Sequence, residues 1–167
     1  MKLRELTTIG YEGVSLDAFI ATLKAAKVTL LLDVRELPIS RRRGFSKTAL
    51  SEALSRAGIA YQHERALGAP REVRHRLRED GDLGRYFVDF REYLASQRQL
   101  LDELAGSLSG RVTLLCYERN PQQCHRSVVV NALARRAKLG FSHLSVPHDA
   151  ERTPARPHPR QSLSAAE

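Results

Sequence analysis

Apolar positions along this chain alternate between two patterns, short continuous runs and longer stretches with helical spacing. Leu6-Thr7-Thr8-Ile9-Gly10 reads as a short first strand stopped by glycine. Ser15 reads as an N-cap, with Leu16, Phe19, Ile20 and Leu23 following at helical spacing. Val28 to Asp33 is a nearly continuous apolar run, the mark of a strand buried on both faces of a parallel sheet. Pro38 closes the segment after it. Ser46 reads as the cap of a helix that carries Leu50 and Leu54 inward and ends at Gly58. Ile59-Ala60-Tyr61 is a third short strand. His63 to Gly81 is polar, with Gly68 and Pro70 marking a loop and room for a short charged helix. Tyr86, Phe87, Phe90, Leu94, Leu101 and Leu104 predict one longer helix. Arg111 to Cys116 is a fourth strand. A turn at Asn120-Pro121 leads into a helix that begins near Gln122 or Cys124 and runs to Lys138, with Gly140 as its C′ residue. Ser142 to Val146 is the last strand.

Strands that alternate with helices specify the α/β class. The expected architecture is a single domain over residues 1–147, a mainly parallel sheet with helices on both faces, a Rossmann-like three-layer sandwich. After Pro147 the composition shifts to prolines and small polar groups, so residues 148–167 read as a disordered tail. In such folds ligands bind outside the carboxyl ends of the strands. Tyr11, Asp33 with Arg35, His63, and Cys116 with Glu118 each follow or close a strand. Residues distant in sequence therefore share one edge.

Composition narrows the function classes. Hydrophobic residues are 42% and charged residues 28% of the chain, a globular balance, and no apolar run is long enough to span a membrane. Nor does the N-terminus carry the apolar core of a secretory signal, so a cytoplasmic location is expected. The two cysteines, Cys116 and Cys124, are too few to staple a domain of this size and lie close enough together to suggest chemistry, metal binding or redox work. The formal net charge is +8 and arginine outnumbers lysine. The planar fork of arginine suits phosphate and carboxylate, so the partner implied is an anionic small molecule or nucleic acid. Nothing in the pattern specifies a cofactor or an oligomeric state.

The segment Cys116-Tyr117-Glu118-Arg119-Asn120-Pro121-Gln122-Gln123-Cys124-His125-Arg126 holds the densest chemistry. It spans a strand end, a loop and a helix start, where backbone N–H groups favour anions. A cysteine there, beside an imidazole and a guanidinium, favours its thiolate. Cys116 also fits a buried small hydrophobe. Cys116, Glu118, Cys124 and His125 are acceptable zinc ligand types. Their spacing is not that of a C-x2-C knuckle, however, and neighbouring Cys and His side chains diverge on a helix, so no metal is assigned. The loop Arg41-Arg42-Arg43-Gly44-Phe45-Ser46-Lys47 suits phosphates, with Phe45 either stacking on a base or folding back as a staple before Ser46. Arg71 to Arg78 reads as a solvated face.

Thr8-Ile9-Gly10-Tyr11-Glu12-Gly13, Asp33-Val34-Arg35, Pro38 to Lys47, Tyr61 with Leu67-Gly68, and the Cys116-x-Glu118 segment leading to Cys124-His125-Arg126 resemble the DUF488 family. The likeness runs from about Thr7 to about Val146. It implies an α/β bacterial-type cytoplasmic protein with these residues as its site, and it supplies no reaction or cofactor. Ala69 stands where the family's loop leads one to expect a second glycine. The leading expectation is a pocket that binds or processes a phosphate-bearing ligand, a nucleotide or a nucleic-acid end. Arg35 and Arg126 would hold the anion, with Tyr11, Arg41, Arg42, Arg43 and Cys116 around it and Asp33 orienting an arginine. Cys124 would be the nucleophile and His125 or Glu118 the acid or base. The alternatives are a non-catalytic nucleic-acid module and a thiol redox or metal-binding protein.

Overall fold

The computed structural model describes residues 2–147. The expected disordered tail, residues 148–167, lies outside the described residues. Five parallel strands form one sheet in the order β3-β2-β4-β1-β5. They are β1 (Leu3–Gly10), β2 (Leu30–Asp33), β3 (Ala60–His63), β4 (Gly110–Cys116) and β5 (Phe141–His143). The central strands β2, β4 and β1 are the most apolar, because side chains on both of their faces are covered.

Two apolar clusters flank the sheet. Leu31, Leu115 and Ile9 point into one, with Phe19 and Leu23 of α1 (Leu16–Ala25) and Leu50 and Leu54 of α2 (Lys47–Arg56). Leu32, Leu114 and Leu6 point into the other. There they meet Tyr86, Phe90 and Leu94 of α4 (Leu83–Ala95), Leu101 and Leu104 of α5 (Arg98–Ser107), and Val129 and Leu133 of α6 (Arg126–Ala137). Between β3 and α4 lie a 3-10 turn (Arg65–Leu67) and α3 (Arg71–Asp80). The three-layer α/β sandwich is therefore as the pattern predicts. Buried threonines on the strands are satisfied: Thr7 Oγ1 meets Thr113 Oγ1 at 2.7 Å across β1 and β4.

Several local features differ from the sequence reading. The helical pattern from Tyr86 to Leu104 is two helices, broken at Ser96-Gln97. The break is hidden because Leu94 and Leu101 stand two turns apart, which keeps the apolar stripe in phase across it. Ser46 precedes α2 but does not cap it; its hydroxyl instead binds the Ser40 backbone at both N–H and C=O. Gly140 is not the residue that turns the chain after α6. Lys138 takes the left-handed conformation there (φ 54°). α6 itself starts at Arg126, later than expected, because a 3-10 turn (Pro121–Gln123) occupies the preceding residues.

Candidate functional site

The carboxyl ends of three adjacent strands bring the candidate residues together. In register, Gly10 pairs with Cys116 across β1 and β4, and Asp33 pairs with Leu115 across β2 and β4. The loops beyond are laced to one another. Glu12 N–H donates to the Tyr117 carbonyl (2.9 Å), Arg119 N–H to the Glu12 carboxylate (2.9 Å) and Val34 N–H to the Leu115 carbonyl (3.2 Å). A Cβ on Gly10 would collide with the Glu118 carbonyl, so only glycine lets β1 run this close to the loop after β4.

Asp33 is fully buried and anchors the first arginine. It accepts from the Arg35 guanidinium at 2.8 and 2.6 Å, from the Arg35 backbone N–H at 3.1 Å and from the Tyr61 hydroxyl at 2.6 Å. The Arg35 Nη1 donates further to the Phe45 carbonyl (2.8 Å) and the Tyr11 hydroxyl (3.2 Å). Burial works against the charge on Arg35, and the Asp33 carboxylate more than compensates, so the guanidinium pKa is raised. His63 Nε2 donates to the Arg35 carbonyl, 2.7 Å away. Phe45 is buried, stacked on Tyr11 with ring centroids 4.5 Å apart and edge-on to Phe19. It folds back, as a staple would, and is not free to stack on a base.

Arg126 is buried on the other side. Its guanidinium donates to Thr8 Oγ1 (3.1 Å), to the Glu118 carbonyl and to the Arg119 carbonyl (3.2 Å). Arg126, expected as an anion clamp, here braces the loop after β4 through these bonds. Each of its three guanidinium nitrogens donates to a protein oxygen, and it does not line the cleft described below.

Cys116, Cys124 and His125 form a compact buried cluster whose sulfur and nitrogen donor atoms lie within 4.8 Å of one another. Cys116 Sγ is 3.6 Å from His125 Nδ1 and 3.4 Å from Glu118 Oε2. His125 Nε2 sits 2.8 Å from the Val34 carbonyl, so Nε2 carries a proton and Nδ1 faces the sulfurs. Phe90 meets the imidazole edge-on, 5.1 Å between centroids. Burial opposes charge at Cys124. Hydrogen bonds from Cys116 and His125 and the charges of His125 and Arg126 overcome it, and its pKa falls well below that of an ordinary thiol. Cys116, which donates to Cys124 and is itself desolvated, is raised instead. Burial also tends to neutralise His125, but its contacts with Cys124 raise its pKa. Burial first, and then the Cys124 charge, lifts Glu118 to about 7.

Above this cluster opens a cleft of about 870 Å³. Cys116, Glu118 and His125 form part of its wall, whereas Cys124 lies beneath them with no solvent exposure. Five arginines line it, Arg35, Arg41, Arg42, Arg74 and Arg78, against the carboxylates of Glu36 and Glu118. Tyr11, Tyr86, Leu37 and Ile39 add apolar surface. A model of the family described as "Domain of unknown function DUF488" matches residues 15–133. The chain belongs to the DUF488 family. No curated protein and no solved structure matches it.

The match in this DUF488 chain covers Asp33, Arg35 and the whole Cys116 to Arg126 segment, but begins after Tyr11 and stops before β5. Among the described residues no helix is long and apolar enough to cross a membrane. The basic run divides: Arg41 and Arg42 line the cleft, the Arg42 Nε donates to the Val14 carbonyl, and Arg43 borders a separate hollow. The short charged helix for which the sequence leaves room is α3, but its arginines are not merely the solvated face expected. Val73 and Leu77, one turn apart, dock it on the core, and Arg74 and Arg78, also one turn apart, are thereby carried into the cleft. Arg74 is held there by Glu36 and the Ala69 carbonyl. The i,i+4 apolar pair was the signal that this stretch is more than a solvated face.

Proposed function

We propose that the cleft binds a phosphate-bearing ligand, a nucleotide or a nucleic-acid end, and holds it against the wall made by Cys116, Glu118 and His125. The arginine lining is the observation that carries this reading. Arg41 and Arg78 are exposed and, among the described residues, have no protein partner, so their guanidinium groups can take bidentate phosphate contacts. Arg35 is committed to Asp33 and contributes its field rather than a contact. Any chemistry on the ligand belongs to the cleft wall, and Cys124 supports that wall from below. A non-catalytic nucleic-acid module draws less support, because Arg41 to Arg43 do not form one continuous stripe and Phe45 is buried.

A thermal-shift panel of phosphate, nucleotides and short oligonucleotides tests the reading on the wild-type chain and on the Arg41→Ala/Arg78→Ala variant. A ligand at 100 times its dissociation constant stabilises the folded state by about 2.7 kcal/mol, seen as a rise of several degrees in Tm. The rise is expected in the wild type and is largely lost in the variant. An unchanged Tm with every phosphate-bearing ligand overturns the proposal.

A further inference from the structure

The cluster beneath the cleft does more than line it. We propose that Cys116, Cys124 and His125 bind a zinc-class divalent cation whose fourth coordination position opens toward Glu118 and the cleft. The inference deepens the anion reading by naming what meets the reactive end of the ligand. It rests on residues other than the arginines that would hold the phosphate.

Geometry is the first argument. The three donor atoms lie within 4.8 Å of one another, close enough to share one ion. Metal–sulfur bonds of about 2.3 Å and metal–nitrogen bonds of about 2.0 Å, set at the tetrahedral angle, give a sulfur–nitrogen edge of about 3.5 Å. Cys116 Sγ and His125 Nδ1 are 3.6 Å apart. Glu118 is not one of the three donors and stands beside the open position. Cys116 Sγ and Glu118 Oε2 are 3.4 Å apart.

The second argument is the orientation of the imidazole. A metal-binding histidine commonly donates its other N–H to a carbonyl or carboxylate, which fixes the tautomer. His125 Nε2 meets the Val34 carbonyl at 2.8 Å, leaving Nδ1 and its lone pair for the cluster. The third is the backbone. The objection that neighbouring Cys and His side chains diverge assumes that both are helical. Cys124 is extended (φ −131°, ψ 137°), and the helix begins only after His125 (φ −59°, ψ −22°), so both side chains reach one point.

The fourth is charge and ligand type. Two thiolates neutralise a divalent cation, and the set of two sulfurs and one imidazole favours zinc over magnesium or calcium, which take oxygen ligands. Three protein ligands with an open fourth position is the arrangement of zinc sites that act on substrates, where structural sites are closed by four protein ligands. Here the open side is the one that lines the cleft.

The test uses the full chain, reduced, stripped with a chelator and titrated with Co²⁺ and then Zn²⁺. The expected result is one Co²⁺ per chain with intense thiolate-to-cobalt absorption that Zn²⁺ abolishes. Zn²⁺ should also slow alkylation of both thiols at least tenfold in the wild type, a readout that needs no variant. Cys124→Ser should lose the absorption or weaken binding at least tenfold. Arg41→Ala/Arg78→Ala should bind metal as the wild type does, so the failure of one reading is distinguishable from failure of the other. Folded wild-type protein that shows no cobalt–thiolate absorption overturns the proposal. So does a folded Cys124→Ser variant with undiminished binding, since the ion would then sit elsewhere.

Discussion

Asp33 has no exposure to solvent and accepts hydrogen bonds from Arg35 and Tyr61, the former through a bidentate pair. Its value lies in what its removal would leave behind. Arg35 stays buried whatever happens to its partner, and an uncompensated buried charge costs more than the pair contributes. Asp33→Ala is expected to destabilise the fold by about 3–5 kcal/mol. Urea denaturation followed by circular dichroism measures this, and a loss below about 1 kcal/mol would mean that Arg35 finds water or another acceptor. The same residue-level logic explains why the protein partners of Arg126 left no mark in the sequence. A guanidinium beside a cysteine and a histidine suggests an anion site, but its actual acceptors are Thr8 and the carbonyls of Glu118 and Arg119. Backbone acceptors leave no trace in residue type. Asp33 and Arg35 were legible because two opposite charges at the end of a buried apolar strand must find each other.

At the scale of elements, the parallel sheet was legible because β2 and β4 are nearly uninterrupted apolar runs, and strands of that kind need helices on both faces. That the strand ends would share one edge followed from the same pattern. Boundaries were less legible, and one of them changed the chemistry. The start of α6 at Arg126, instead of near Cys124, turns Cys124 and His125 toward Cys116. The capping signals of Asn120 and Pro121 belong to the 3-10 turn before the helix, where the Asn120 side chain accepts from Gln122 N–H at 2.9 Å. The loop before α3 shows the opposite case, a glycine whose need is steric. A Cβ on Gly68 would strike the Glu36 backbone, which leads from Arg35 into the cleft. Ala69, standing where a second glycine was expected, is accommodated as a buried residue of the cleft lining. Gly68→Ala is therefore expected to cost about 1–3 kcal/mol, the range for forcing a methyl into packed structure. A wild-type denaturation midpoint in that variant would show that the loop can withdraw at no cost.

The whole molecule presses on the site from both faces of the sheet. Phe45 and Tyr11 reach it from the α1–α2 layer, and Tyr86 and Phe90 from the α4–α6 layer, so the cleft is built on two packed cores. Charge at this scale poses a different question, whether anions would be drawn by the net charge of +8 or by the cleft itself. At physiological ionic strength the Debye length is about 8 Å, which screens exposed charges at a distance while leaving direct contacts in force. A second group of arginines tests the distinction. Arg98 and Arg135 border a separate hollow between α4, α5 and α6, away from the cleft lining. Neutralising either pair, Arg98→Gln with Arg135→Gln or Arg41→Gln with Arg78→Gln, removes two positive charges. Local recognition predicts that only the cleft pair lowers affinity for a phosphate ligand, by tenfold or more, since one charge-assisted contact is worth about 1.5–3 kcal/mol. Isothermal titration of both variants at 0.15 M salt decides between the two. Equal losses would assign binding to the overall field, and the arginines of the cleft would then carry no special role.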